Sequence, residues 1–178
     1  KNIKKGCFLL CRPISVNEKE KNTILEKIES SNKYEDLLKP LPTHYLVSVN
    51  KTLRTDRKRR ILNILKLSKR GIKLVGMSYA VMKSDYLKVN GYDENYNGWG
   101  EEDDDFGNRL YVAGIKGKEL KTPNMQIHLW HYSDPTKKHS MNEEYYYKRK
   151  KEIFSNKEYF CKNGCSEIRN DIRITILK

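Results

Sequence analysis

Residues 97–110 read NGWGEEDDDFGNRL, and their reading decides how the rest of the chain is understood. Five acidic side chains, Glu101 to Asp105, stand in a row in a chain of net charge +13. Gly98 and Gly100 bracket Trp99, and a helix interior disfavours glycines so closely spaced. The spacing therefore predicts a helix from about Glu101 to about Ala113, stopped by Gly114. On a helical wheel Asp103, Phe106, Gly107, Leu110 and Gly114 share one face, with Glu102 at its edge. Asp103 is then the carboxylate expected inside, while Glu101, Asp104 and Asp105 are expected to point to solvent. Acids favour a helix N-terminus because of the macrodipole. That accounts for outer carboxylates and leaves the inner one, beside an indole between two glycines, without a purpose. A flat apolar ring next to a carboxylate suits a sugar, which stacks on one and offers hydroxyls to the other.

Working outward, "GCFLLCRPI" (6–14) reads as a buried strand closed by Pro13. Residues 17–30 read as a helix with Ile24, Leu25 and Ile28 on its apolar side. Residues 31–50 read as loop with one extended piece, "YLVSV". Residues 56–69 read as a basic helix striped by Ile61, Leu62, Ile64, Leu65 and Leu67. "IKLVGMSYAVMK" (72–83) reads as strand, tight spot, strand. Ser84 is expected to cap a short helix ended by Asn90-Gly91. "KGKEL" and "NMQIHLWHY" read as strands, and residues 142–160 as a charged, Tyr-rich helix. Alternating strands and helices predict a layered α/β fold.

With 178 residues, the length suits one domain or most of one, and 33% charged residues suit a polar surface. Mean hydropathy is −0.84, and no apolar run approaches the ~20 residues of a membrane helix. No secretory signal pattern is visible, and the start at Lys1 suggests a piece of something longer. Cys7, Cys11, Cys161 and Cys165 form two C-x3-C pairs, read as free thiols in a reducing compartment, with a disulfide or a zinc site as the alternatives. The basic clusters "RTDRKRR" (54–60) and "KRKK" (148–151) read as solvated helix faces, with attraction to nucleic acid, acidic head groups or phosphorylated substrates as the functional alternative. No nucleic-acid-binding motif accompanies them, so no nucleic-acid partner is expected.

Two metal readings compete. "DENYNGWGEEDD" (93–104) approaches a calcium loop, with Asp93, Asn95, Asn97, Gly98 and Asp104 in place, but lacks the final Glu and carries Gly100 at the aliphatic position. "MQIHLWHY" offers His128 and His131, which come together only if the strand ends before the second.

The run "GMSYAVMKSDYLKVNGYDENYNGWGEEDDDFGNRLYVAG" (76–114) resembles the β-1,4-galactosyltransferases and the related chondroitin-polymerase-type, bacterial family 2-like glycosyltransferases. Gly76, Ser78, Ala80, Asn90, Gly91, Gly98, Trp99, Gly100, Glu102, Asp103, Asp105, Arg109, Leu110 and Gly114 match their shared pattern, and the likeness covers about residues 70–135. The resemblance implies an α/β, GT-A-type mixed sheet with flanking helices. It makes this the C-terminal, acceptor-side half, because the D-x-D motif of a nucleotide-binding half is absent upstream. Residues 1–135 would be that region and 136–178 a basic, Tyr-rich helical extension. It implies transfer of galactose or N-acetylgalactosamine from a UDP-sugar to a saccharide or lipid-linked saccharide acceptor, with inversion, in bacterial polysaccharide biosynthesis. The chain alone is expected to be inactive. Asp103 would be the general base, Glu102 a contact to acceptor or donor, and Trp99 the acceptor platform. Gly76, Ser78, Gly98, Gly100 and Arg109 would lie at substrate. His131, with His128 beside it, would bind a divalent ion, manganese first and magnesium second. A cytoplasmic location, with peripheral contact at the inner membrane face, is expected. The alternative is a non-catalytic sugar- or calcium-binding module built on the 93–104 loop.

Overall fold

The computed structural model describes residues 3–30, 43–68, 71–120, 126–138 and 140–166, with the backbone alone for 43–49, 136 and 138. Among them the mixed α/β architecture expected from the sequence is present. Strand β1 (Cys7–Leu10) lies at the centre of a three-stranded sheet, antiparallel to β3 (Tyr79–Ala80) and parallel to β4 (Lys116–Glu119). Its Phe8, Leu9 and Leu10 are buried, as a strand covered on both faces requires. A second ladder pairs β2 (Ile14–Ser15) in parallel with β5 (Ile127–His128).

Helix α1 (Glu18–Ser30) starts at a reciprocal cap: the Glu20 amide donates to the Asn17 side chain and the Asn17 amide to Glu20, both at 2.9 Å. Of its expected apolar side only Ile24 is buried, in a cluster with Ile14 and Val16 against which Leu53, Ile127 and Leu129 pack; Leu25 and Ile28 are exposed.

Helix α2 (Thr43–Ile64) corrects two expectations. Residues 45–49 are helical and not extended, and the helix ends before 69. Its inward side brings Leu53 against the Ile14 cluster and is otherwise held by polar contacts. Arg12 donates to buried Asp56 at 2.7 Å, Arg60 pairs with Glu119 at 3.5 Å, and Asn63 accepts from Tyr111. With Asp56, Arg60 and Asn63 turned to these partners, Ile61, Ile64, Leu65 and Leu67 are left exposed. Residues 31–42 lie outside the described residues.

Residues 72–75 form no strand, but Ile72 and Leu74 are buried in the main core with Phe8, Leu10, Val89, Phe106, Leu110 and Ile115. Helix α3 (Lys83–Lys88) is preceded by Met82 as its cap residue, so Ser84 is inside it and does not cap it. The chain leaves through Asn90 and Gly91, both at positive φ, as expected.

Helix α4 (Glu102–Val112) has Glu101 as its cap residue and turns out through Gly114 at φ 87°. Its apolar face carries Phe106 and Leu110 into the core. A Cβ on Gly107 would stand 2.7 Å from that of Leu74, so this glycine lets α4 lie directly on the 72–75 segment. After a 3-10 turn (Pro135–Lys138), helix α5 (Glu143–Asn156) packs against α4. It buries Tyr146, Arg149 and Ile153.

Candidate active site

The close approach of α4 to residues 71–75, with α5 on the other side, leaves a cleft of about 640 Å³. Trp99, Gly100, Glu101, Glu102, Asp103 and Asp104 line one wall. Lys73, Leu74 and Val75 line another, and Tyr146, Tyr147 and Lys150 of α5 a third.

Each of the five consecutive acids has its own partner. Glu101, at φ 69°, accepts from the Ser140 hydroxyl at 2.5 Å. Glu102 accepts from the Gly100 amide at 3.1 Å. Asp103 accepts from the Gly76 amide at 2.7 Å and from the Tyr92 hydroxyl at 2.9 Å. Asp104 accepts from Tyr146 and from Lys150, and Lys150 also donates to Tyr146. Asp105 pairs with Arg109 at 2.6 Å, both fully buried.

This corrects the expected geometry. Asp103 does turn from the bulk towards the 76 loop, but it is half-buried and borders the cleft. The most buried acid is Asp105, and Asp104 is tied to α5. Wheel geometry assigned those two to solvent because it cannot see α5 or an internal arginine.

Gly76 explains how Asp103 is held. A Cβ there would collide with the Asp103 carboxylate, so only glycine lets the carboxylate sit on its amide. Tyr92 is a secure donor. Burial, contact with the Tyr79 hydroxyl and the adjacent Asp103 charge all push its phenol well above the ordinary value. Tyr92 also stacks on Phe106, with ring centroids 4.6 Å apart, which ties the donor to the core. Glu102 is pushed above the ordinary carboxylate range by burial and by neighbouring Asp103, partly offset by the Gly100 amide.

The Trp99 loop is pinned from the α5 side. Buried Asn142 donates to the Gly100 carbonyl at 3.0 Å and accepts from the Asn97 amide at 3.0 Å. Gly98 and Gly100 both have positive φ, which turns the loop so that Trp99 stands out from it. The indole is 42% exposed, with the Lys137 ammonium 5.2 Å from its ring centroid.

Other expected site residues are placed elsewhere. Arg109 is wholly buried; besides Asp105 it donates to the carbonyls of Val89 and Gly91, so it fastens the α3 exit to α4 and cannot meet a substrate. The Ser78 carbonyl accepts from the Cys11 amide and extends the β1–β3 pairing. Strand β5 stops at His128, and the His128 and His131 rings come together with centroids 5.1 Å apart, neither lining the Asp103 cleft. The His131 Nδ1 lies 2.8 Å from the Tyr132 carbonyl oxygen, which can only accept, so the Nδ1–H donates to it. In the 93–104 loop the Asp93 carboxylate accepts from Asn95 and from Tyr145 of α5, and Asp104 accepts from Tyr146 of the same helix, so both carboxylates are engaged with protein donors. Among the described residues no group of three or more His, Cys, Asp or Glu is placed to hold a metal. All four cysteines are free thiols, and burial pushes Cys161 up to about 11.

Sequence reasoning missed Tyr92, Ser140, Asn142, Tyr146 and Lys150. The signal available was the spacing of Asn142, Tyr146, Arg149 and Ile153, which repeats at helical intervals and marks an inward face of α5 built mostly from polar residues.

A mixed α/β fold with a carboxylate-bearing cleft beside an exposed indole is consistent with a glycosyltransferase-like protein. Comparison with known families makes this more specific: residues 59–132, less than half of the chain, match the family described as the N-terminal domain of galactosyltransferase. The chain is 35% identical over 66 residues to beta-1,4-galactosyltransferase 2 of Cricetulus griseus, covering 34% of this chain and 17% of that enzyme. It is 42% identical over 48 residues to human beta-1,4-galactosyltransferase 1, covering 27% and 11%. Human beta-1,4-galactosyltransferase 3 is 49% identical over 37 residues, covering 21% and 9%. The chain thus spans under a fifth of these relatives, which are animal enzymes. No solved structure matches. The matched segment is galactosyltransferase-like.

Proposed function

We propose that this chain forms the acceptor-side part of an inverting hexosyltransferase that moves galactose or N-acetylgalactosamine from a UDP-sugar to a saccharide. The observation that supports it is the Asp103 carboxylate, held by the Gly76 amide and the Tyr92 hydroxyl at the edge of a cleft whose rim carries the exposed Trp99 indole. A sugar stacked on Trp99 would present its hydroxyls along the Glu102–Asp103 wall. Asp103, with lone pairs beyond those its two donors use, takes the acceptor proton as the hydroxyl oxygen bonds to the anomeric carbon from the face opposite the departing diphosphate. The C1–O bond breaks with its electron pair going to UDP, and the configuration inverts.

A manganese or magnesium ion, when bound, would neutralise charge on the diphosphate. His131, through Nε2, and His128 beside it fit two imidazole ligands of such an ion. The remaining ligands would come from the donor and from chain other than these residues.

The test is a binding screen by ligand-observed NMR with mono- and disaccharides and with UDP-galactose and UDP-N-acetylgalactosamine. Saccharide binding that Trp99→Ala abolishes supports the reading. If no sugar or nucleotide sugar binds, or if binding ignores Trp99, the cleft is not an acceptor site.

A further inference from the structure

Helix α2 carries a surface that the proposed transfer does not use. At about 100° per residue, Arg54, Arg57, Lys58, Ile61 and Leu65 fall on one stripe, with Ile64 at its border. Buried Asp56 and Asn63 lie on the opposite side, facing the fold. All three cations of the stripe are exposed, and none of them draws an ion pair among the described residues. From 51 to 68 the chain has a single acid, Asp56, and it is taken by Arg12. At the C-terminal end of the stripe the aliphatics Ile61, Ile64, Leu65 and Leu67 are 48%, 70%, 59% and 71% exposed. Ile61 and Ile64 at the end of the helix, with Leu65 and Leu67 just beyond it, leave branched aliphatic surface in water that asks for a cover.

We propose that this stripe docks on an anionic lipid bilayer, the aliphatics entering the head-group boundary and the cations resting on lipid phosphates. A helix with cations and aliphatics on one exposed side is the pattern of interfacial helices. Charge decides between occupants. A second copy meeting this face about a two-fold axis would bring its cations towards these cations, an unfavourable pairing. A nucleic acid would match the charge but gain nothing from the aliphatics, and residues 51–68 contain no aromatic side chain on which a base could stack. An anionic bilayer satisfies both ends of the stripe. Arg54 to Ile64 spans about 15 Å of helix, enough for both ends to touch a flat surface together. The proposal is independent of any transferase activity.

The test is co-sedimentation of the whole chain with vesicles of phosphatidylcholine containing about a third phosphatidylglycerol, against pure phosphatidylcholine, at two salt concentrations. Each cation near such a surface is worth about a factor of five in partition, so Arg54→Gln/Arg57→Gln/Lys58→Gln should weaken binding about 100-fold. Ile64→Ser/Leu65→Ser/Leu67→Ser should weaken it at least about 10-fold while keeping all charges. Both variants change exposed side chains, and circular dichroism melts verify folding. Arg57→Glu, a single exposed change, gives the same reading should a triple variant melt early. Binding that the aliphatic variant retains would mean diffuse attraction by a +13 chain and overturns the proposal. Equal binding to neutral vesicles overturns it as well. So does a wild-type dimer in light scattering that the aliphatic variant dissociates, because the cover would then be a second copy.

Discussion

The Asp103 carboxylate rests on the backbone amide of Gly76, 2.7 Å away and 27 residues earlier in the chain. The contact joins the acidic N-terminus of α4 to the loop before β3, and Tyr92 closes it from the other side. Both donors orient the carboxylate at the cleft edge, the placement that the proposed proton transfer needs. These two hydrogen bonds fix the oxygen atoms.

If Asp103 is the base of the proposed transfer, Asp103→Asn should lower turnover by about 10² or more while substrate binding changes little. Tyr92→Phe should give a smaller loss, with acceptor KM nearly constant, because it frees the carboxylate to rotate. Turnover within a few-fold of wild type in Asp103→Asn would move the role of base to Glu102.

Trp99 is exposed and held by the loop that Asn142 pins, so its truncation leaves the core untouched. Trp99→Ala should cost acceptor binding about 1–3 kcal/mol, read as a rise in acceptor KM or a fall in kcat/KM, with an unchanged melting temperature. A large drop in melting temperature instead would make the indole a structural element.

The Asp105–Arg109 pair has no exposed atom, and Asp105→Ala strands a guanidinium in the core. That single change should destabilise by about 3–5 kcal/mol in urea titration. Asp105→Leu combined with Arg109→Met should recover part of the loss, since the double change removes both charges. If the double variant is the weaker by the sum of the two single losses, the residues act independently.

Burial lifts the Glu102 carboxyl above its ordinary 4.5. A raised carboxyl binds its proton more tightly when folded, so its contribution to stability is full at low pH and fades as pH climbs through the folded value. Relative to Glu102→Gln, the wild type should therefore lose stability as pH rises from about 4 to 7. Urea midpoints of the two proteins across that range give the answer, and a constant difference would contradict the burial of this group.

If His131 and His128 serve a metal, calorimetry should find manganese bound more tightly than calcium, weakly to the chain alone and better with UDP present. His131→Ala should remove the manganese signal. Calcium binding that survives His131→Ala and disappears in Asp93→Ala would place the ion in the 93–104 loop instead.

Local chemistry made much of this molecule legible in its sequence. The run Phe8-Leu9-Leu10 suits only a buried strand, and glycines before and after residues 101–113 leave a helix few other limits. The same local rules placed Trp99 on an exposed turn and Asp103 towards the apolar side of its helix. Tertiary structure alone decided which acid is buried and which lines the cleft. Asp105 is inside because Arg109, one turn on, travels in with it, and Asp104 is partly covered because α5 brings Tyr146 and Lys150 to it. Arg12 likewise takes Asp56 inward and turns α2 about its axis, which leaves Ile61, Ile64 and Leu65 outside against every expectation from periodicity. A periodic pattern records where apolar residues recur. It does not record the ion pairs and hydrogen bonds between distant segments that can bury a polar side in their place.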